Sequence, residues 1–240
     1  MEKKRLYLLD SARGLLIISM ILYHLIYDLY YIYHYDISWF ASLGGRLWQK
    51  ISCYGYIILS GYCFSLGKRH IKRGAFLILC GTIITIITAC FMPDEAIYYG
   101  ILTFYGLATL ITHLLDKALK KGNPIGGISL SILLFNILYN IPKGSIMKAS
   151  VPDILYEARL LTFLGFPYEG FKSSDYFPLI PWYFMFLVGY YLYMLTKDNK
   201  KTQAILSIRI PLLDTLGRKA LIIYLVHQPL IVLILHLIHE

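Results

Sequence analysis

Three side chains capable of acid–base and charge chemistry, Arg13, His24 and Asp28, fall within one apolar stretch of the chain, LDSARGLLIISMILYHLIYD over residues 9–28. Read as a helix at 100° per residue, the eleven steps from Arg13 to His24 close nearly three turns. Both residues then share one face, about 16 Å apart along the axis. Asp28 follows His24 at i+4 on the same side. An imidazole beside a carboxylate is a usual arrangement for a general base, because the carboxylate fixes the tautomer and stabilises the imidazolium. The plainer reading is a buried polar pair that fixes helix packing. An arginine on the same stripe tips the balance toward function.

The elements that must position these groups are membrane spans. Of the 240 residues, 58% are hydrophobic and only 15% charged, and mean hydropathy is +0.59. Ionisable groups at membrane depth are costly, and they usually face a cavity or a partner. Runs of roughly twenty apolar residues, long enough for a hydrocarbon core, occupy about 11–33, 48–66, 74–92, 96–115, 177–196 and 216–238, with a shorter one at about 126–141. The expected fold is therefore all-α: a polytopic membrane protein of about seven transmembrane helices, read as one domain over residues 1–240. Residues 154–161 look amphipathic and interfacial or re-entrant rather than spanning.

The net charge of +9 excludes little by itself, but its distribution does. The lysines and arginines sit in short clusters between apolar runs: Lys3, Lys4 and Arg5, then Lys68, Arg69, Lys72 and Arg73, then Lys117, Lys120 and Lys121. Most of the 23 fall on one side if the N-terminus is cytoplasmic and the C-terminus extracytoplasmic, as the positive-inside rule requires. Nucleic acid is not an expected partner; the lipid bilayer is. The basic start could suggest a signal peptide, but the apolar stretch is too long and carries charges, so it reads as retained. Cys53, Cys63, Cys80 and Cys90 all lie in apolar segments with no metal-ligand spacing, which points to buried thiols and to no metal site.

Four stretches carry a family resemblance. The first is Leu9-Asp10-Ser11-Ala12-Arg13-Gly14 with His24 ten residues beyond Arg13. Next come Gly100-Ile101-Leu102 with Tyr105-Gly106, and Asp175-Tyr176-Phe177-Pro178-Leu179-Ile180-Pro181-Trp182. The last runs from Leu216-Gly217-Arg218-Lys219 through Tyr224-Leu225-Val226-His227-Gln228-Pro229. Together they resemble the heparan-alpha-glucosaminide N-acetyltransferase catalytic-domain family, in its short bacterial form. More broadly they resemble acyltransferase-3-type membrane enzymes, which share an Arg-x10-His pattern. The chain differs from the lysosomal relatives in having fewer helices and no lumenal extension, so their acceptor does not carry over.

The resemblance implies a multi-pass cell-membrane enzyme that transfers an acyl group, an acetyl group foremost, from cytoplasmic acetyl-CoA to a sugar or glycoconjugate on the far side. His24 would act as base or acyl carrier with Asp28 orienting it and Arg13 beside it. The CoA phosphates would meet Arg13, Arg69, Arg73, Arg218 and Lys219, since guanidinium forks suit phosphate oxygens. For most of these cations the plainer reading is topology-setting charge. On the substrate side stand His227, Tyr224, Asp175 and Trp182. His227 has three readings: orienting His24, binding the acyl carbonyl, or bonding across a helix interface. Pro229 would kink that helix. The tyrosines at 27, 30, 31, 33 and 35 read as an interfacial belt, or with Trp39, Tyr176 and Trp182 as a sugar-stacking platform. Two other classes stay in view: a small transporter or proton-coupled channel using the Arg13, His24, Asp28 and His227 series, and a non-catalytic membrane scaffold. Oligomeric state is open, a homodimer included.

Overall fold

The computed structural model describes residues 5–239; Lys3 and Lys4 of the first basic cluster lie outside them. The described chain is all-α apart from one two-stranded hairpin. Its elements are α1 (Tyr7–Tyr31), α2 (Leu43–Phe64), α3 (His70–Phe91), α4 (Ile101–Leu119) and α5 (Pro124–Leu138), then the antiparallel strands β1 (Ser145–Ile146) and β2 (Ala149–Ser150). These are followed by α6 (Ile154–Glu157), α7 (Leu179–Thr196), α8 (Lys200–Leu206), α9 (Pro211–Arg218) and α10 (Ala220–His239).

Each of the seven apolar runs coincides with a long helix: α1 to α5, α7 and α10. Five described helical segments are long and apolar enough to cross a membrane: Tyr7–Tyr31, His70–Phe91, Pro124–Lys143, Leu179–Thr196 and Ala220–His239. The protein is a multi-pass membrane protein. Helices of this kind satisfy every backbone hydrogen bond internally, which lipid cannot do for them. Many of their large apolar side chains, such as Leu15, Ile83, Leu133 and Ile222, are exposed accordingly.

Two compact units divide the chain. One takes the residues up to Leu59 and those from Thr196 onward; the other takes Ser60–Leu195. In the first, α9 lies across the start of α1, where two glycines let the backbones meet. A Cβ at Gly14 would collide with the Leu213 carbonyl, and one at Gly217 with the Asp10 carbonyl. Beyond that crossing α10 runs beside α1 in the same direction, pairing Asp28 with Gln228 and Tyr35 with His239. Helix α2 contributes Trp48 and Ser52. The Ser19 hydroxyl accepts from Trp48 Nε1 at 2.8 Å and shares a hydrogen bond with Ser52, also at 2.8 Å. A polar bridge of this kind joins apolar helices where the hydrophobic effect cannot.

In the second unit α3 and α4 are antiparallel and equally close. A Cβ at Gly74, Gly81 or Gly106 would press into the facing helix. Small residues at such crossings permit the tight packing on which membrane helices depend. Helix α7 fills the centre with the buried Tyr183, Phe186 and Tyr190, and Tyr183 shares a 3.1 Å hydrogen bond with Thr112 of α4.

Three boundaries differ from those read in the sequence, each for a local reason. The fourth helix begins at Ile101 rather than near 96, because residues 96–99 pair with the 173–177 segment through Ser174 N–H to Ala96 and Phe177 N–H to Tyr99. The amphipathic stretch at 154–161 is not one helix. It breaks at Ala158, where the backbone is extended, and resumes as a 3-10 turn at Arg159–Leu164. The last apolar run does not start a single helix at Leu216. Residues up to Arg218 belong to α9, pinned on α1 by Gly217, and α10 starts at Ala220.

Candidate active site

Two polar clusters occupy the α1–α9–α10 unit. The one at the α1–α9 crossing is built on two buried carboxylates. Asp10 accepts from Arg5 Nε and Nη2 at 3.0 and 2.8 Å through one oxygen and from Arg13 Nη1 at 2.5 Å through the other. Asp214 repeats the arrangement. Arg209 Nε donates to one oxygen at 2.6 Å, while Arg218 Nη2 and the Thr215 hydroxyl reach the other at 3.3 and 3.1 Å. Each acid has an arginine five residues before it and another within the following turn. The Arg209 guanidinium holds the Asp214 carboxyl below the ordinary carboxylate range. Side chains of Arg13 and Arg218 keep 28% and 36% exposure, so part of each fork faces outward. A guanidinium offers five N–H donors, more than these carboxylates engage. Lys219, beside them at the end of α9, is exposed.

The second cluster lies farther along α1. The His24 and His227 rings approach to 5.0 Å between centroids at 62°. Tyr23 meets His24 edge-on at 6.0 Å. His227 Nδ1 lies 2.6 Å from the Tyr224 carbonyl oxygen. A carbonyl can only accept, so Nδ1 carries the proton and the neutral ring presents Nε2 as an acceptor. Among the described residues that Nε2 is buried without a hydrogen-bond partner. Next along α10, Gln228 Nε2 donates to both oxygens of the buried Asp28, at 3.2 and 2.9 Å, which fixes the amide's orientation. Its Oε1 is also buried and unpartnered. Asp28 thus engages the Gln228 amide as well, a contact the i+4 spacing to His24 does not reveal. The Tyr224 role is likewise carried by its backbone carbonyl.

The remaining sequence candidates belong to the other unit. Arg69 precedes α3 and Arg73 lies in its first turn, both exposed. Asp175 accepts from the Ile101 N–H at 3.2 Å, capping α4 from a distant loop, and burial pushes its carboxyl up to about 6. Trp182 packs against Phe135 at 5.6 Å and Phe177 at 5.1 Å, as a packing residue of α7. The Tyr176 hydroxyl donates to the Thr162 carbonyl, and Trp39 stacks on Trp48 at 6.1 Å. No group of three or more His, Cys, Asp or Glu side chains among the described residues could hold a metal ion.

Sequence reasoning placed Arg5, Asp10 and Gln228 in a cluster or motif but with no role of their own, and singled out neither Arg209 nor Asp214. The signal was present for the acids: both clamp motifs place Asp, Gly and Arg within five residues, as Asp10-Ser11-Ala12-Arg13-Gly14 and Asp214-Thr215-Leu216-Gly217-Arg218. Gln228 gave none, since its partner is 200 residues away.

The family model for heparan-alpha-glucosaminide N-acetyltransferase, catalytic, matches residues 5–229 and so takes in both clusters. The chain belongs to that family. No curated protein and no solved structure matches it significantly. Membership makes this chain a relative of membrane acetyltransferases that use acetyl-CoA as donor.

Proposed function

We propose that the protein is an integral-membrane acetyltransferase whose reacting centre is the His24–His227 pair. CoA phosphates bind at the Arg13 and Arg218 forks and Lys219, which stand at the start of α1 and the end of α9. Their outward N–H groups suit phosphate oxygens bidentately. The thioester extends along α1 toward His24, which acts as base or acyl carrier on a sugar or glycoconjugate entering from the opposite end. Asp28 works through Gln228 as a positioning residue: it holds the amide of α10 and thereby sets where His227 stands. Arg69 and Arg73 act as topology-setting charge for α3. The carrying observation is the 5.0 Å approach of two imidazoles inside the matched family domain, on two largely apolar helices. Histidine is the side chain best matched to proton transfer near neutral pH.

All seven long helices span the membrane in one domain, with the N-terminus cytoplasmic and the C-terminus outside. The parallel course of α1 and α10, the first and last spans, supports an odd number of crossings. So do the antiparallel courses of α3 against α4 and of α5 against α7 within their unit.

The experiment supplies purified protein in detergent with acetyl-labelled CoA and follows label release and free thiol. Wild type turns the donor over. His24→Ala loses about 10²–10⁴-fold in kcat, the span of general acid–base contributions, while still unfolding cooperatively. Undiminished turnover by His24→Ala removes His24 from the mechanism. Absence of turnover together with proton flux into vesicles favours a transporter.

A further inference from the structure

Buried acceptors without donors are rare in native proteins, and each one calls for an explanation. Two occur on consecutive residues here, His227 Nε2 and Gln228 Oε1, and neither is a matter of arbitrary assignment. The Tyr224 carbonyl fixes the protonated nitrogen of His227, and the approach of Gln228 Nε2 to both oxygens of Asp28 orients the Gln228 amide. His227 is 92% buried, with a relative exposure of 8%. Both side chains reach α1 one turn apart, His227 at His24 and Gln228 at Asp28. What this cluster lacks is an N–H or O–H donor. The reacting thioester carbonyl only accepts; the nucleophilic hydroxyl or amine is the group at the acyl carbon that both donates a hydrogen bond and must surrender its proton.

We infer that, of the two histidines in the proposed centre, His227 takes the proton from the hydroxyl or amine that is acylated, leaving His24 as acyl carrier or proton relay, while Gln228 Oε1 accepts a second hydrogen bond from the same acceptor molecule. The inference rests on the acetyltransferase reading and divides the labour within it. The acceptor oxygen or nitrogen attacks the acyl carbon, the new bond to carbon forms as the carbon–sulfur bond breaks, and the X–H proton passes to His227 Nε2. The imidazolium, stabilised by the Tyr224 carbonyl on its other nitrogen, returns that proton to the departing CoA thiolate, directly or through His24. If His24 first carries the acyl group, the same nitrogen serves the second half-reaction and the leaving group is the His24 imidazole. An acceptor carrying several hydroxyl or amine groups is the class that satisfies both orphan atoms at once.

The test uses the full chain in detergent with labelled acetyl-CoA as donor, and glucosamine and water as acceptor probes. His227→Asn retains an amide N–H for the Tyr224 carbonyl but has no titratable nitrogen. The expected result is a fall in kcat of about 10²–10⁴-fold for both acceptors. The KM for acetyl-CoA stays within about twofold, and the rise of rate through the imidazole range disappears. Groups facing His227 that could confuse this profile are His24 and Asp28, so His24→Ala is run alongside. Wild-type kcat and pH profile in His227→Asn overturn the inference and leave the acetyltransferase reading standing. Failure of the wild type to turn over acetyl-CoA overturns both. Independently of any variant, ¹⁵N spectra of histidine-labelled wild type report the His227 tautomer. The Nδ1–H form agrees with the inference, and the Nε2–H form overturns it.

Discussion

The two polar clusters along α1 differ in how completely they are satisfied. At the α1–α9 crossing each buried carboxylate is forked between two arginines, and glycine on each helix lets the backbones close over the pair. Farther along, the His24–His227–Gln228–Asp28 cluster is only half paired: His227 Nδ1–H and the Gln228 amide N–H are engaged, while His227 Nε2 and Gln228 Oε1 are not. A closed cluster leaves no buried charge unpaired, here with each carboxylate served by arginines of its own segment, whereas an open one costs stability and persists where a ligand completes it. On the acetyltransferase reading proposed above, the contrast separates a scaffold that offers its outer edge to CoA phosphates from a centre that takes up a proton donor.

Substitutions should divide along the same line. The largest effect on folding is expected at the closed end. Gly217→Val places a side chain where the Asp10 carbonyl stands, and no flexible group can give way. Overpacking of this kind costs about 3 kcal/mol or more, a large share of a stability of roughly 5–15 kcal/mol. Yield of cooperatively unfolding protein should drop sharply, and recovery of wild-type Tm would break the account of the crossing. Asp214→Asn comes next, because it leaves Arg209 and Arg218 without their counter-charge. Since Arg209 depresses the Asp214 carboxyl, its stabilising contribution is present above the unfolded-state carboxylate value and is lost as pH falls through the depressed folded value. Tm of the wild type should therefore fall in acid more steeply than that of Asp214→Asn.

At the open end the expectation reverses. His227→Phe removes an unsatisfied acceptor and keeps the volume, so Tm should be unchanged or raised while acetyl-CoA turnover is lost, a trade of stability against function. A Tm drop of several degrees would mean that the His227 imidazole is structural. The smallest effect lies in the other unit. The Asp175 carboxyl is raised to about 6, so its protonated form is favoured by folding. That contribution is present below the ordinary carboxylate value of 3.8 and fades as pH rises through about 6. Asp175→Asn, which still offers an acceptor to the Ile101 N–H, should erase this segment of the pH–Tm curve, and persistence of it would assign the titration elsewhere.

Much of this was legible in the residues themselves. Apolar runs located the long helices, since span length is set by the bilayer and hydropathy is additive along the chain. The Arg13, His24 and Asp28 stripe identified the helix that carries both clusters. What sequence could not show was partnership across the fold. Spacing pairs Asp28 with His24 within α1; that Gln228 also reaches the carboxylate from the parallel α10 is visible only in the fold. Trp182 and Asp175 share a motif with Pro178 and Pro181, yet one packs against Phe135 and the other caps α4, local duties that a motif does not distinguish. The α9–α10 break was hidden because residues 216–219 are as compatible with one helix as with two. Only the glycine contact with Asp10 decides it.

The direction of the chemistry is the central claim: donor phosphates at the arginine end of α1, acyl transfer at the histidine pair. A structure with acetyl-CoA bound tests it most directly. The account predicts phosphate density against Arg13 and Arg218 and the thioester beside the His24–His227 pair, its carbon within about 3–3.5 Å of a His24 ring nitrogen where His24 carries the acyl group, the separation of a near-attack geometry. CoA phosphates bound instead at the Tyr35–His239 end, with the thioester out of reach of His24, would contradict it.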